Sequence, residues 1–223
     1  MFLIYQKKVI STPITRYSMG LLYELFPELI GCAHEGLPQW SDVDFPWQIL
    51  KNDEMGMKAQ MLELLGRKDV YVHPSAKISE NVKFEGPCYV GSGAEIRFGA
   101  YLRAGSWICS GALVGHSSEI KNSILLPGSK APHFNYVGDS ILGFSVNLGA
   151  GAKLSNVRND KREIRITLED GSSIETGLRK LGAMVGDGSQ IGCNVVTNPG
   201  TIIPAGSSIS PNTSAYGWMG IKS

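Results

Sequence analysis

From Val72 onward, bulky apolar residues recur at every sixth position: Val72, Ile78, Phe84, Val90, Ile96, Leu102, Ile108, Val114 and Ile120. The residue four places after each of the first eight is Ala76, Val82, Cys88, Ala94, Ala100, Ser106, Ala112 and Ser118, only one of them larger than cysteine. Gly93, Gly99, Gly105 and Gly111 hold a third fixed phase. A strand alternates by two and a helix repeats every 3.6 residues, so neither explains the pattern. A parallel β-helix does, with each hexad forming one short strand and a turn, the large side chain inward and the small one at a corner.

The register returns at Leu142, Leu148 and Leu154, then at Val185, Ile191, Thr197, Ile203 and Ile209, where Thr197 is the one polar member. Sixteen residues separate Leu126 from Leu142, where twelve or eighteen would keep phase, and this predicts a break in the scaffold. A longer interruption holds REIRITLEDGSSIETG, in which Ile164, Ile166 and Leu168 alternate up to an Asp170-Gly171 turn. This predicts a β-hairpin thrown out of the prism over about 157–181, with the coil resuming at Ala183.

Residues 1–68 follow a different period. Leu21, Leu22, Leu25, Phe26, Leu29 and Ile30 recur at helical spacing, with Pro27 set to kink or shorten the helix. A second helix is expected from Pro46 to Leu65, with Met57, Met61, Leu64 and Leu65 packing as one stripe and Gly66 stopping it. The expected organisation is a helical N-terminal region over 1–68, a prism over 69–215 and a tail over 216–223. Repeat columns need their open ends covered, and the N-terminal region is the expected cap.

Apolar residues make up 43% of the 223 and charged ones 18%, which indicates an ordered chain. The net charge of +1 gives no reason to expect a nucleic-acid partner. Cys32, Cys88, Cys109 and Cys193 form no CxxC pair and suit neither zinc nor a disulfide framework. The opening MFLIYQKKVISTPITRY is too broken by polar residues and proline for a signal peptide, and no run approaches the roughly 20 apolar residues of a membrane span. A soluble cytoplasmic protein is the expectation.

If three hexads make one triangular turn, residues eighteen apart stack at about 4.8 Å. Arg103 and Lys121 are so related, and each follows an interior aliphatic residue. Two stacked cations repel unless an anion lies between them, and phosphate suits that place; two solvated side chains are the alternative. The segment PGSKAPHFNYVGD concentrates Lys130, His133 and Tyr136 at the predicted break. His34 lies in the helical region, and His73 and His116 on the outer surface of the prism. His133 alone has polar company at a break, where it could be a proton acceptor or a structural residue.

The stretch LPGSKAPHFNYVGDSILGFSVNLGAGAKLSN resembles the acetyltransferase domain of bifunctional N-acetylglucosamine-1-phosphate uridylyltransferases. NVRNDKREI and TGLRKLGAMVGDGSQIGCNVVTNPG are similar to archaeal bifunctional sugar-1-phosphate nucleotidylyltransferase/acetyltransferases, and FPWQILKND resembles the linker before their prism. The likeness covers about residues 45 to 215. It implies a left-handed prism, a homotrimer, and acetyl-CoA bound between subunits as donor to the amine of an amino-sugar phosphate such as glucosamine-1-phosphate. By the same resemblance His133 is the base, Arg103 and Lys121 hold the phosphate, and Tyr136, Asn147 and Asn156 bind the sugar. Ala205 lines the pantetheine channel and Asp187 replaces a serine that contacts CoA. Val157 stands where the bacterial proteins have tyrosine, and Arg162 and Arg165 where basic side chains are expected near substrate. A GxGTR-like start is missing, so uridylyl transfer is not expected. An acyltransferase for a UDP-amino sugar and a catalytically silent scaffold or regulatory subunit remain alternatives. A prism anhydrase with three metal-bound histidines fits less well, because no close histidine pair of the expected kind occurs.

Overall fold

The computed structural model describes residues 18–32, 34–40 and 43–220. The opening segment read above for a signal peptide and the last three residues of the tail lie outside them. The repeat folds into a β-solenoid of three parallel sheets with seven strands each. Wall A runs from Val70–Val72 through Cys88–Val90, Ser106–Ile108, Ser123–Leu125, Ile141–Leu142 and Ala183–Val185 to Thr201–Ile203. Wall B comprises Lys77–Ile78, Glu95–Ile96, Leu113–His116, Lys130–His133, Asn147–Leu148, Gln190–Ile191 and Ser208–Ile209. Wall C comprises Lys83–Phe84, Tyr101–Leu102, Glu119–Lys121, Tyr136–Gly138, Lys153–Leu154, Val196–Thr197 and Ser214–Ala215. The hexad aliphatics fill the interior.

The predicted break between Leu126 and Leu142 is not a break. Early coils are eighteen residues long, pairing Val90 with Ile108 and Leu102 with Ile120. The next two are seventeen, pairing Ile108 with Leu125 and Ile120 with Val137, and the coils after the insertion are eighteen again, pairing Val185 with Ile203. One residue is dropped at each corner between walls C and A, where Asn122 and Asp139 take left-handed φ values of 46° and 47°. The strands Lys130–His133 and Tyr136–Gly138 run straight through, with Ala131 and Val137 at interior positions. The shortened corner moves the phase by one, and small Ala131 hides the interior position in the sequence.

Wall A also turns apolar side chains outward. Trp107, Ile124, Ile141, Met184 and Ile202 form a second buried cluster with Leu22, Leu25, Phe26, Trp47, Met57 and Met61. The described part of the N-terminal region therefore lies along this flank, and Val72 and Ile78 at the open end are 37% and 38% exposed. At the far end Met219 packs against the interior, its N–H donating to Ile202 O at 2.8 Å. The helix α1 spans Ser18–Leu25, and Pro27 opens a separate 3-10 turn to Leu29. The expected second helix is divided into a 3-10 turn, Pro46–Leu50, and α2, Met57–Leu65. Gln48 Oε1 accepts from the Asp44 and Phe45 N–H groups at 2.6 and 2.9 Å, holding the first turn. Leu64 leaves the expected stripe and is exposed. The hairpin Arg165–Thr167 with Ser173–Glu175 forms as expected, but it folds back: Ile164 and Ile166 are buried in the cluster on wall A.

Candidate active site

His133 ends its wall B strand, exposed at the edge where the chain turns into wall C. The turn is held from beneath. Asn135, buried, accepts the His133 N–H through Oδ1 at 3.0 Å and donates through Nδ2 to Gly149 O at 2.8 Å. Its own N–H donates to Ser118 Oγ at 3.1 Å. Phe134 makes the corner with φ of 52°. The strand partner of His133 is His116, but the two rings are used differently. His116 donates from Nδ1 to Phe98 O at 3.0 Å and lies between Phe98 and Phe134, at ring distances of 5.7 and 5.2 Å. Among the described residues the His133 ring has no hydrogen-bond partner, which leaves it available for proton transfer.

Across the corner, Tyr136 is half-buried on wall C. Its ring lies over Gly138, where an added Cβ would come within 2.6 Å of the hydroxyl and 2.8 Å of Asn156 Nδ2. Burial, then the Asp139 and Glu119 carboxylates, push the phenol above its usual range. Asn156 is buried and donates to Asp139 Oδ2, while Asn122 Nδ2 donates to Asp139 Oδ1 at 2.7 Å. Lys121 Nζ lies 3.3 Å from Asp139 Oδ2. Asn122, Asp139 and Asn156 are seventeen residues apart and stack as a ladder, so Asp139 is a three-donor hub that the eighteen-residue repeat did not reveal.

Arg103 and Lys121 do share wall C, as the stacking argument requires: Arg103 N–H donates to Ile120 O at 2.8 Å. Their charges are answered by carboxylates in place of an external anion. Arg103 Nη1 donates to Glu119 Oε1 at 2.9 Å, with Glu85 at 3.8 Å from Nε, and the Glu119 hydrogen bond raises the guanidinium pKa. Glu85, Glu119 and Asp139 are the site-wall residues sequence reasoning missed. A seventeen-residue comb laid over positions 122 to 156 would have found Asp139.

The remaining expected residues lie elsewhere. Asn147 is on wall B, paired with Lys130. Ala205 is at the corner between walls A and B, three coils along the axis from His133, or about 14 Å. Asp187 is buried at the edge of wall A, where it accepts the Glu28 and Phe144 N–H groups at 2.9 and 2.7 Å. Burial raises its pKa to about 6. Oδ2 thus holds the N-terminal segment and Oδ1 the prism backbone, so both carboxylate oxygens are engaged within the chain. Arg162 and Arg165 line a cleft of about 320 Å³ on the inserted segment with Arg158, Glu163 and Glu175, and Arg165 pairs with Glu175. Among the described residues, no group of His, Cys, Asp and Glu is arranged to hold a metal, and no helix is long and apolar enough to cross a membrane.

No family model matches the chain. The bifunctional sugar-1-phosphate nucleotidylyltransferase/acetyltransferase of Sulfurisphaera tokodaii is 34% identical over 190 residues, covering 77% of this chain and 45% of that protein. Bifunctional protein GlmU of Methanococcus maripaludis is 32% identical over 191 residues, 78% of this chain and 44% of its own. Among solved structures, a GDP-perosamine N-acetyl transferase from Caulobacter crescentus is 19% identical with a TM-score of 0.38, over 71% of this chain and 61% of that one. The chain spans a little under half the length of the two curated relatives. Over about three quarters of its residues the chain is a homologue of the bifunctional sugar-1-phosphate nucleotidylyltransferase/acetyltransferases, and the share of them that it matches is consistent with their acetyltransferase domain alone.

Proposed function

We propose that the chain is an acetyl-CoA-dependent N-acetyltransferase acting on the amine of a phosphorylated amino sugar, with glucosamine-1-phosphate as the candidate substrate. One observation carries this reading. An imidazole without a hydrogen-bond partner among the described residues stands at the edge of a wall whose outer side holds a phenol, an amide and two cations, at positions 136, 156, 121 and 103. The names of the homologues, which pair sugar-1-phosphate chemistry with acetyl transfer, support it.

In the proposed reaction, neutral His133 takes a proton from the amine as the nitrogen attacks the thioester carbonyl. The tetrahedral intermediate collapses, the carbon–sulfur bond breaks, and the CoA thiolate leaves with a proton returned from His133. Tyr136 and Asn156 orient the sugar. Asn147 lies on the neighbouring strand of wall B, opposite the other end of the His133 strand, and Ala205 lies three coils along, so we assign them to a groove completed by a second copy of the chain in a homotrimer. Asp187 is left out of the cofactor site.

The test is acetyl-CoA consumption with glucosamine-1-phosphate. His133→Ala should reduce turnover about 10²–10⁴-fold. Turnover indifferent to that change, or none on any phosphorylated amino sugar, would sink the proposal; a UDP-linked amino sugar as a parallel substrate separates the nearest alternative. Light scattering checks the trimer.

A further inference from the structure

We infer that Asn135 is a positioning residue for the proposed reaction: its buried amide aims the His133 imidazole by clamping the backbone that carries it. The inference deepens the proposed function and rests on it for the role of His133 as the base.

The repeat itself singles the amide out. The residue before each wall C strand fills a corner of the column, and in chain order these are Val82, Ala100, Ser118, Asn135, Ala152, Val195 and Thr213. Ala100, Ala152 and Val195 are each at most 1% exposed, so the column closes this corner with side chains that have no polar atom. An amide buried there must have its donor and its acceptor both satisfied or it opposes folding. The coil that carries His133 has asparagine at this corner, with Ser118 on the coil before it. The scaffold has no need of the amide, and its position beside the imidazole gives it a use.

Asn135 is 2% exposed and both sides of its amide are engaged. Oδ1 accepts the His133 N–H at 3.0 Å, while Nδ2 donates to Gly149 O at 2.8 Å and to Ala152 O at 3.4 Å. The same corner of the next coil returns a bond, the Gly151 N–H donating to His133 O at 2.9 Å. Both backbone polar groups of His133 are therefore held, and Asn135 ties one of them to the corner that holds the other. On the preceding side Pro132 is fixed in φ. It lies so close to the coil before it that a Cβ on Gly115 would stand 1.7 Å from Pro132 O.

A catalytic base is ordinarily oriented by a hydrogen bond to its second ring nitrogen. Among the described residues the His133 ring has no such partner, and its backbone N–H is where the amide acts. With the main chain clamped, only the two side-chain torsions remain to place the ring. That matters because a displacement of about 1 Å in a reacting group can cost about 10²-fold in rate.

A double-mutant cycle separates positioning from scaffolding. Asn135→Ala should lower kcat about 10–10²-fold and leave the KM values for acetyl-CoA and glucosamine-1-phosphate within about twofold. In a His133→Ala background the same change should have almost no further effect, because residues that act as a unit are not additive. Thr201→Val is the structural control. Thr201 is fully buried and donates through Oγ1 to Asn198 O at 2.7 Å, on coils beyond the insertion, so its loss should lower the denaturation midpoint and leave kcat unchanged. Should Asn135→Ala fail to fold, Ser118→Ala removes the acceptor of the Asn135 N–H and should lower kcat about threefold, again only while His133 is present. An equal fall in both backgrounds, or no fall in either, overturns the inference. Amide hydrogen exchange reads the clamp without turnover: the His133 N–H should exchange about tenfold faster in Asn135→Ala than in wild type. Unchanged protection of that N–H overturns the inference even if acetyl transfer is confirmed. Faster exchange in a chain that acetylates no amino sugar supports the clamp and removes the function it serves.

Discussion

Wall A and wall C turn the same kind of aliphatic side chain inward, Val90, Ile108 and Leu125 on one and Leu102, Ile120 and Val137 on the other, yet their outer faces differ completely. Outward along wall A stand Tyr71, Tyr89, Trp107, Ile124, Ile141, Met184 and Ile202, in register from coil to coil. The same track on wall C reads Lys83, Tyr101, Glu119, Tyr136, Lys153, Val196 and Ser214. The interior repeat builds a column and is indifferent to what lies outside it. The outer residue of each hexad decides whether a wall becomes a buried layer or a surface for chemistry. Wall A is apolar on both faces, as sheets covered on both sides are, and the N-terminal region and hairpin supply the cover.

The contrast is broken most directly at Trp107. The residue is 1% exposed, its ring lies tilted 5.1 Å from that of Tyr89, and it donates from Nε1 to Gly36 O at 2.8 Å. Trp107→Ala should cost about 3–5 kcal/mol of unfolding free energy. Glu119→Gln on wall C, which loses a partly exposed ion pair, should cost no more than about 1 kcal/mol. Urea denaturation measures both, and similar losses at the two positions would mean that wall A is not a second core.

A smaller effect is expected where the cover is fastened. Besides accepting two N–H groups, Asp187 donates its own to Leu25 O at 2.9 Å, tying the edge of wall A to α1. Asp187→Ala strands the buried Phe144 N–H and frees the partly buried Glu28 N–H, and should cost about 2 kcal/mol. It should also make the N-terminal segment easier to cleave while the prism resists, which limited proteolysis would show. Equal protection of both parts would argue against Asp187 as the fastening.

The same carboxylate predicts a pH dependence. Its folded pKa of about 6 lies above its unfolded value, so the native state binds the proton first. The cost of burying the charge is present in full above pH 6 and is relieved as pH falls through 6 towards the ordinary carboxylate range. This group alone should therefore make the protein more stable at pH 5 than at pH 7.5, and Asp187→Asn should remove that component. Parallel melting profiles of wild type and variant across the interval would contradict this.

Much of this was legible in the sequence, and the misses share a cause. The hexad spacing announces the solenoid, because an interior of fixed width tolerates little variation in what fills it. Lys121 and Arg103 could be placed on the outer surface from their phase, whereas His133 and Tyr136 stood out only by their place in the expected break. The shift to seventeen-residue coils was hidden because two corners shed a residue where Asn122 and Asp139 adopt left-handed backbone, leaving Ala131 as an inconspicuous interior marker. The outer face of wall A was in view as Tyr71, Tyr89 and Trp107 at intervals of eighteen, a second comb offset by one from the interior one. The interior comb by itself points to an open end in need of a cap, whereas this second comb points to a flank in need of cover. The contact that α2 makes through Lys58 with the corner at Gly105 has no local signature, since it depends on where a separate helix docks.

The smallest effect is expected where the walls ought to agree. Thr197 occupies an interior position of wall C between Leu154 and Ala215, fully buried, and among the described residues its Oγ1 has no hydrogen-bond partner. A desolvated hydroxyl with no partner opposes folding, whereas valine has nearly the same shape and nothing to desolvate. Thr197→Val should therefore stabilise the protein by about 1 kcal/mol, read as a higher denaturation midpoint with an unchanged slope. Should the variant instead be less stable, the hydroxyl has a partner within the column. The interior of wall C would then differ from that of wall A, and the contrast between the walls could no longer be assigned to their outer faces alone.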